Sequence, residues 1–568
     1  MLKFVLICTF LLVSQISFVV AAPSVPDILT KNGLTYCTHA GGFSFNPQTA
    51  DAGTNMNLVT EQIYNKLFEM RNHDARVTPE LAQSYSISED GKTIIINLRK
   101  GVKFHHTQWF TPSRDFNADD VVFSLNRVLG HSTSLPEFDS SEQNDSFNKQ
   151  YKIFHELAKK TRFPYFESIK LKEKIEQVEA INPYQVKITL FAPDASILSH
   201  LASQYAIIFS QEYALQLNAD DNLIQLDILP VGTGPYQLKD YVRSQYVRLQ
   251  RHDQYWQKKA QIDNIIIDLT TDRTGRLAKF FNGECNIAAY PEVSQLGLLK
   301  NVQGKFEIKS TDGMNLAFLA FNFQKEKMRS LELRRAISQA INRKRIIENI
   351  YYDTATLANE IIPKVSWASS QLPYNEYSLY NPEQAEKTLR KQNLSLNIWV
   401  LNEEQLYNPA PLKMAELIRF DLMQVGVQAN VQAVTRNHLI KTLKNNSADY
   451  DMILTGWLAG NLDPDSFMRP ILSCSSQNDI TNLANWCNPS LDYILDFALN
   501  TKELKLRTYE YREAQKIILN QLPIIPIAHV KRILIADTHI DGLELTPFGN
   551  INFDKLSLRQ DEKNKVKK

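Results

Sequence analysis

The chain has 568 residues, more than one hydrophobic core usually serves, so two or three lobes are expected. Its 63 Lys and Arg against 62 Asp and Glu leave a net charge of +1, and 43% of its residues are hydrophobic. That balance argues against a nucleic-acid partner, an anionic membrane surface or long disorder.

The N-terminal stretch MLKFVLICTFLLVSQISFVVAAPSVP places Lys3 ahead of an apolar run from Phe4 to Val20, with Ala21 and Ala22 before Pro23. This predicts a cleavable secretory signal over residues 1–22 and a soluble, exported mature chain. Cys8 lies inside the apolar run and not at the cleavage point, so a lipoprotein is not expected. Four cysteines then remain, Cys37, Cys285, Cys474 and Cys487, an even number in an oxidising compartment that allows three pairings. Cys474 and Cys487 bracket a polar, turn-rich segment, where a local bridge would contribute about 3 kcal/mol. Four thiolates on one zinc ion are the weaker alternative, because no CxxC spacing occurs.

Strand-like alternation follows at Lys92 to Arg99, Tyr184 to Phe191, Ile262 to Leu269 and Leu394 to Val400. Asp90-Gly91 in front of the first of these predicts a hairpin turn. The segment Gly130 to Tyr151 is rich in Ser, Asn, Asp and Glu and is expected to be an exposed excursion. PVGTGPY at Pro230 to Tyr236 marks a turn or lobe boundary. Helical patterns run from Leu333 to Ile341 and from Pro411 to Val425, the latter with Met414, Leu417, Ile418, Leu422 and Val425 on one face. The mixture indicates an α/β protein. Met452, Ile453 and Leu454 read as a buried strand ending in GWLAGNLDPDSF, Gly456 to Phe467. The tail RQDEKNKVKK, residues 559–568, is a solvated charge run.

Catalytic signatures are missing: the sequence has no GxSxG, HExxH or Walker A pattern. Gly232-Thr233-Gly234 is followed by Pro235 and a strand-like segment, so it reads as a turn and not a phosphate loop. His105 and His106 follow a strand and point to opposite faces, which prevents easy sharing of a metal. Asp463 and Asp465 flank Pro464 and are expected to finish a turn rather than act as an acid/base pair. No enzyme activity is expected, and a secreted hydrolase or a chaperone-like holder of exported chains are the rival classes.

LAQSYSISEDGKTIIINLRKGVKF at Leu81 to Phe104 resembles the signature of the family 5 extracellular solute-binding proteins, the peptide- and nickel-binding receptors of ABC importers. FNPQ at Phe45, FNADDVVFSLNRV from Phe116, PVGTGPYQL from Pro230, YWQKKAQIDNIII from Tyr255, LRRAISQAINRKRII from Leu333, GW at Gly456 and PIIPIAH from Pro523 extend the similarity in family order. The resemblance implies a type II periplasmic-binding-protein fold, with two lobes closing at a hinge and three domains counted. Domain I would combine residues 23–61, 233–312 and 530–558, domain II would be inserted at 62–232, and domain III would span 313–529. Bridges Cys37 to Cys285 and Cys474 to Cys487 are implied as well, by similarity to the dipeptide receptors.

The resemblance also implies a role: a monomeric periplasmic subunit that delivers peptide to membrane permease subunits, with separate cytoplasmic ATPases and no cofactor. Dipeptide receptors place an aspartate shortly after GW for the ligand's ammonium group and an arginine before YNP for its carboxylate. The matching positions here hold Gly460 and Gln405, with Asp463 as a nearby substitute for the first. Each lost charge-assisted bond is worth about tenfold or more in affinity. In this the chain resembles the Sap-type subgroup, associated with transport of, and resistance to, antimicrobial peptides. The expected pocket comprises Gly456, Trp457, Ala459 and Gly460, the amides Asn315, Gln405 and Asn461, and Tyr407 and Asp463. Gly460→Asp is expected to restore affinity for peptides with a free N-terminus. Haem is the alternative ligand, with His39 as its axial candidate and Tyr407 and Trp457 flanking the ring.

Overall fold

The computed structural model describes residues 33–39, 44–49, 59–70, 76–130, 160–220, 222–270, 272–299, 306–369 and 379–559. The predicted signal segment, most of the Gly130 to Tyr151 excursion and the charged tail lie outside the described residues.

Three principal sheets organise the chain. The first has seven strands, in the order Phe306–Thr311, Arg532–Asp537, Ile287–Ala289, Leu34–Cys37, Asn264–Asp268, Tyr246–Arg251 and Tyr236–Val242. Leu34–Cys37 lies parallel to both of its neighbours, and its four residues are fully covered. Cys37 and Cys285 are bonded beside it, with Cα atoms 5.9 Å apart. A four-stranded antiparallel sheet orders Ala82–Ile87, Thr93–Leu98, Gln185–Leu190 and Ile175–Asn182. Its first hairpin turns at Gly91, whose φ of 74° is the left-handed conformation that glycine adopts without strain. After it comes helix Ala118–Leu129, started by a reciprocal capping box between Asn117 and Asp120.

The third sheet orders Ala355–Leu357, Ile524–Val530, Asn315–Phe321, Met452–Leu458, Ser395–Leu401 and Gln428–Val434. Ser395–Leu401 and Gln428–Val434 are parallel and are joined through helix Pro411–Gln424, as a parallel pair requires. The predicted face of that helix packs inward: Met414, Ile418, Leu422 and Val425 belong to the second apolar core, and Leu417 packs against it. Every residue of Met452–Leu458 is buried, which explains the apolar run Met452, Ile453 and Leu454 in the sequence.

The chain passes between the first and third sheets at residues 311–315 and again at 530–532. Asn315 ties the two crossings together: its Nδ2 donates to Val530 O at 2.7 Å, and its Oδ1 accepts from Val530 N at 2.8 Å. Gly313 makes room for this stitch, since a Cβ there would lie 2.2 Å from Asn315 Nδ2 and 2.4 Å from Val530 O.

Candidate functional site

The strand Met452–Leu458 sets the geometry of the GW element. Gly456 pairs with Ala317, and the ring of Tyr407 lies directly on it. A Cβ at residue 456 would fall 2.4 Å from Tyr407 Cδ2 and 2.5 Å from Leu316 O, so only glycine fits. Tyr407 is buried, and that burial, more than its other surroundings, raises its pKa. Trp457 donates from Nε1 to Ser466 O at 3.0 Å, which fixes the indole against the helix that follows. Ala459 N donates to Met314 O at 3.0 Å.

Tyr407, Gly456 and Trp457 line a cavity of about 560 Å³. Its opposite wall comes from residues 161–173, including Phe163, Phe166 and Lys170. Lys170 Nζ reaches across to Asp479 Oδ2 at 2.8 Å. Gly460 lines a different and larger cavity of about 1440 Å³, on the far side of the same loop, among Glu69, Glu80, Tyr255, Thr311 and Asp554. The end of the GW strand therefore separates two chambers.

The space beside Gly460 is occupied. Tyr165 and Tyr205 stack with centroids 4.2 Å apart, and a Cβ at residue 460 would lie 3.0 Å from a ring carbon of each. Asn461 holds this arrangement by donating to Tyr165 OH at 3.2 Å and to Ser199 O at 3.2 Å, while its Oδ1 accepts from Asp463 N at 2.9 Å. The Asn461 amide is thus used inside the protein and lines neither chamber.

Asp463 and Pro464 form the expected turn, with Ser466 N donating to Asp463 O at 3.2 Å, and the turn runs straight into a helix. Pro464 precedes helix Asp465–Leu472, and both aspartates are buried. Asp463 accepts both terminal nitrogens of Arg507, at 3.0 and 3.1 Å. Asp465 accepts from Arg469 Nε at 2.8 Å and lies 3.7 Å from Lys174 Nζ and from His200 Nε2. Arg469 and then Lys174 hold the Asp465 carboxyl well below the usual carboxylate range despite its burial. Asp463 is accordingly committed to Arg507 and does not line either cavity.

Asn315 stitches the crossings, and the backbone of Gln405 closes a turn with Asn408 at 2.9 Å in both directions. Neither lines the two chambers. His39 stacks on Tyr290 with centroids 5.7 Å apart, and burial together with the nearby Arg276 and Arg273 lowers its pKa, leaving a neutral imidazole. It does not border the cavity that Tyr407 and Trp457 line, so the three residues grouped for a planar ligand are not brought to one chamber. Cys474 and Cys487 are bonded with Cα atoms 4.3 Å apart. Among the described residues no cluster of three His, Cys, Asp or Glu side chains could hold a metal, and no helix is long and apolar enough to cross a membrane.

Sequence reading missed Tyr165, Tyr205, Phe166 and Arg436. All but Arg436 come from a segment more than 250 residues before the GW element, with no local pattern linking the two. The spacing of Asp465 and Arg469, one helical turn apart, is the one signal that could have exposed part of the ion-pair network.

Comparison with known proteins agrees with this architecture. Residues 76–479 match the family described as bacterial extracellular solute-binding proteins, family 5 Middle. The chain is 65% identical over 95% of its length, and 96% of the relative's, to the peptide transport periplasmic protein SapA of Haemophilus influenzae. At lower identity, 32% over 93% of both chains, it is similar to heme-binding protein A of the same organism. Among solved structures, the dipeptide binding protein of Pseudoalteromonas sp. SM9913 in complex with Met-Leu is 34% identical, with a TM-score of 0.79 over 93% of this chain and 100% of the other.

Proposed function

The chain belongs to the bacterial extracellular solute-binding proteins, family 5, and on that premise we propose that it is the periplasmic peptide-binding subunit of an ABC importer. The observation that carries the reading is the chamber framed by Tyr407, Gly456 and Trp457 at the end of a buried strand, closed on its other side by residues 161–173. Such a chamber, with aromatic side chains beside convergent polar and charged groups, suits capture of a ligand.

In this reading domain I comprises residues 23–61, 233–312 and 530–558, domain II residues 62–232 and domain III residues 313–529. The crossings stitched by Asn315 and Val530 act as the hinge. Ligand stabilises the closed form by its greater affinity for it. The protein is exported by its signal segment, acts as a monomer without a cofactor or catalytic activity, and hands peptide to permease subunits whose ATPases are separate chains.

The peptide differs from a simple dipeptide. Gln405 cannot pair with a carboxylate as arginine does, and the stacked rings of Tyr165 and Tyr205 crowd even a Cβ at residue 460. Binding therefore relies on apolar contact and backbone hydrogen bonds more than on the ligand's ammonium end.

Native mass spectrometry of protein purified without denaturation tests the reading. A retained peptide mass supports it; a retained haem mass, or calorimetry in which no peptide or peptide mixture binds, removes it.

A further inference from the structure

The chamber beneath Trp457 has a chemistry that peptide capture by apolar contact leaves unused. Its lining joins the apolar Phe163, Phe166, Phe318, Leu439 and Trp457 to an excess of cationic side chains. Five basic side chains, Arg162, Lys170, Lys172, Arg436 and Lys444, stand against three acidic ones, Glu167, Glu173 and Asp479. Two of the three acids are already engaged, Glu167 by Arg162 and Asp479 by Lys170. The lining thus carries a net positive charge.

Arg436 is the basic group best placed to use that field. It opens helix Arg436–Lys444, is partly buried, and lines the same chamber as Tyr407 and Gly456. Leu439, Ile440 and Leu443 of the same helix border the chamber with it. Guanidinium matches carboxylate in a bidentate fork, which the ammonium groups of the lysines cannot do. Gln405, at the position matching the arginine of dipeptide receptors, does not line the chamber.

We propose that Arg436 binds the terminal carboxylate of a ligand whose apolar chain fills the chamber. The proposal rests on the receptor reading of this chamber. An apolar chain ending in a carboxylate can come from a peptide C-terminus or from a fatty acid, and the test separates the two.

The experiment is isothermal calorimetry with four probes: N-acetyl-Leu-Leu-Phe as free acid and as amide, and decanoate and decanamide. The variants are Arg436→Met, Arg436→Lys and Lys444→Met, each checked for an unchanged thermal midpoint. The expected result is an acid that binds about tenfold more tightly than its amide in at least one pair. That preference collapses in Arg436→Met, is partly kept in Arg436→Lys and persists in Lys444→Met. Preference for decanoate alone upholds Arg436 and removes the peptide reading. Peptides that bind with no distinction between acid and amide uphold the peptide reading and overturn the role of Arg436. A preference that survives Arg436→Met, or no binding by any of the four probes, also overturns it.

Discussion

Arg507 meets the Asp463 carboxylate with both terminal nitrogens, Nη1 to Oδ2 at 3.0 Å and Nη2 to Oδ1 at 3.1 Å. The guanidinium also lies 5.0 Å over the Trp367 ring, and both partners are buried. Removing one charge of such a pair strands the other in a dry site, at a cost of about 3 to 5 kcal/mol. Asp463→Asn is therefore expected to lower the unfolding free energy by about 3 kcal/mol in urea titrations. Adding Arg507→Met recovers most of that loss, because no lone charge is left behind. Ligand affinity of the folded fraction stays unchanged; a fall in affinity at unaltered stability would return Asp463 to the binding site.

The contrast between what the sequence revealed and what it hid follows from range. Period-two and helical patterns located Thr93–Leu98, Gln185–Leu190, Leu331–Ala340 and Pro411–Gln424 within two residues, since burial of one face is written locally. Met452–Leu458 was legible from Met452, Ile453 and Leu454, since a strand covered on both faces starts as a continuous apolar run. The polar residues after it were harder. Asp-Pro-Asp after a strand has turn chemistry, and only the distant Arg507, Lys174 and His200 turn it into a buried ionic helix start. The same limit applies to Gly460. Its lack of a side chain was visible, but the tyrosines that fill its place come from residues 165 and 205 and could not be paired with it from one sequence.

That packing reverses an expectation about Gly460. Read from sequence, Gly460→Asp restores an ammonium partner and raises affinity for peptides with free N-termini. With a Cβ 3.0 Å from Tyr165 and Tyr205, the new side chain crowds two buried rings that must give by a few tenths of an ångström, a kind of overpacking that costs about 1 to 3 kcal/mol. Gly460→Asp alone is expected to destabilise the protein by that amount without tighter binding of Leu-Leu, as calorimetry and thermal melting would record. Combining it with Tyr205→Ala opens the space, and only the double variant is expected to favour Leu-Leu over its N-acetyl form.

Acidification is expected to weaken the fold through the His105 and His252 pair. His105 Nε2 faces Gly234 O at 2.9 Å while its Nδ1 accepts from Gly232 N at 3.3 Å, a set that the neutral ring satisfies and the imidazolium does not. His252 Nδ1 shares the same Gly234 carbonyl at 3.2 Å, and the ring centroids are 4.8 Å apart. Burial first, then the neighbouring histidine, holds the His105 pKa well below its ordinary 6.5, and burial lowers that of His252. The unfolded chain thus takes up protons below 6.5 that the folded chain refuses. Stability is complete above that pH and falls as pH drops toward the folded values, by up to about 1.4 kcal/mol per unit for each histidine. Urea midpoints measured between pH 7.5 and 5 should decline in the wild type, and His105→Asn should flatten the slope while lowering the value at pH 7.5.

The two disulfides are expected to contribute unequally because they close very different loops. Cys37 and Cys285 are 248 residues apart in sequence, and Cys474 and Cys487 only 13. Each bridge removes freedom from the unfolded chain in proportion to the logarithm of its loop, which gives about 5 kcal/mol for the first and about 3 kcal/mol for the second. The first bridge also sits in its own apolar cluster, with Leu277, Phe280 and Ile535 packed around it, so its removal loosens the centre of the seven-stranded sheet. The second lies beside helix Asp465–Leu472, where Asp492 accepts from Cys474 N at 3.0 Å and holds the segment without the sulfur bond. Paired Cys→Ala substitutions, followed by urea unfolding, should therefore cost more for Cys37 and Cys285 than for Cys474 and Cys487. Equal losses would mean that the unfolded chain keeps its N-terminal segment near residue 285 without the bridge, so that the long loop costs no more entropy than the short one.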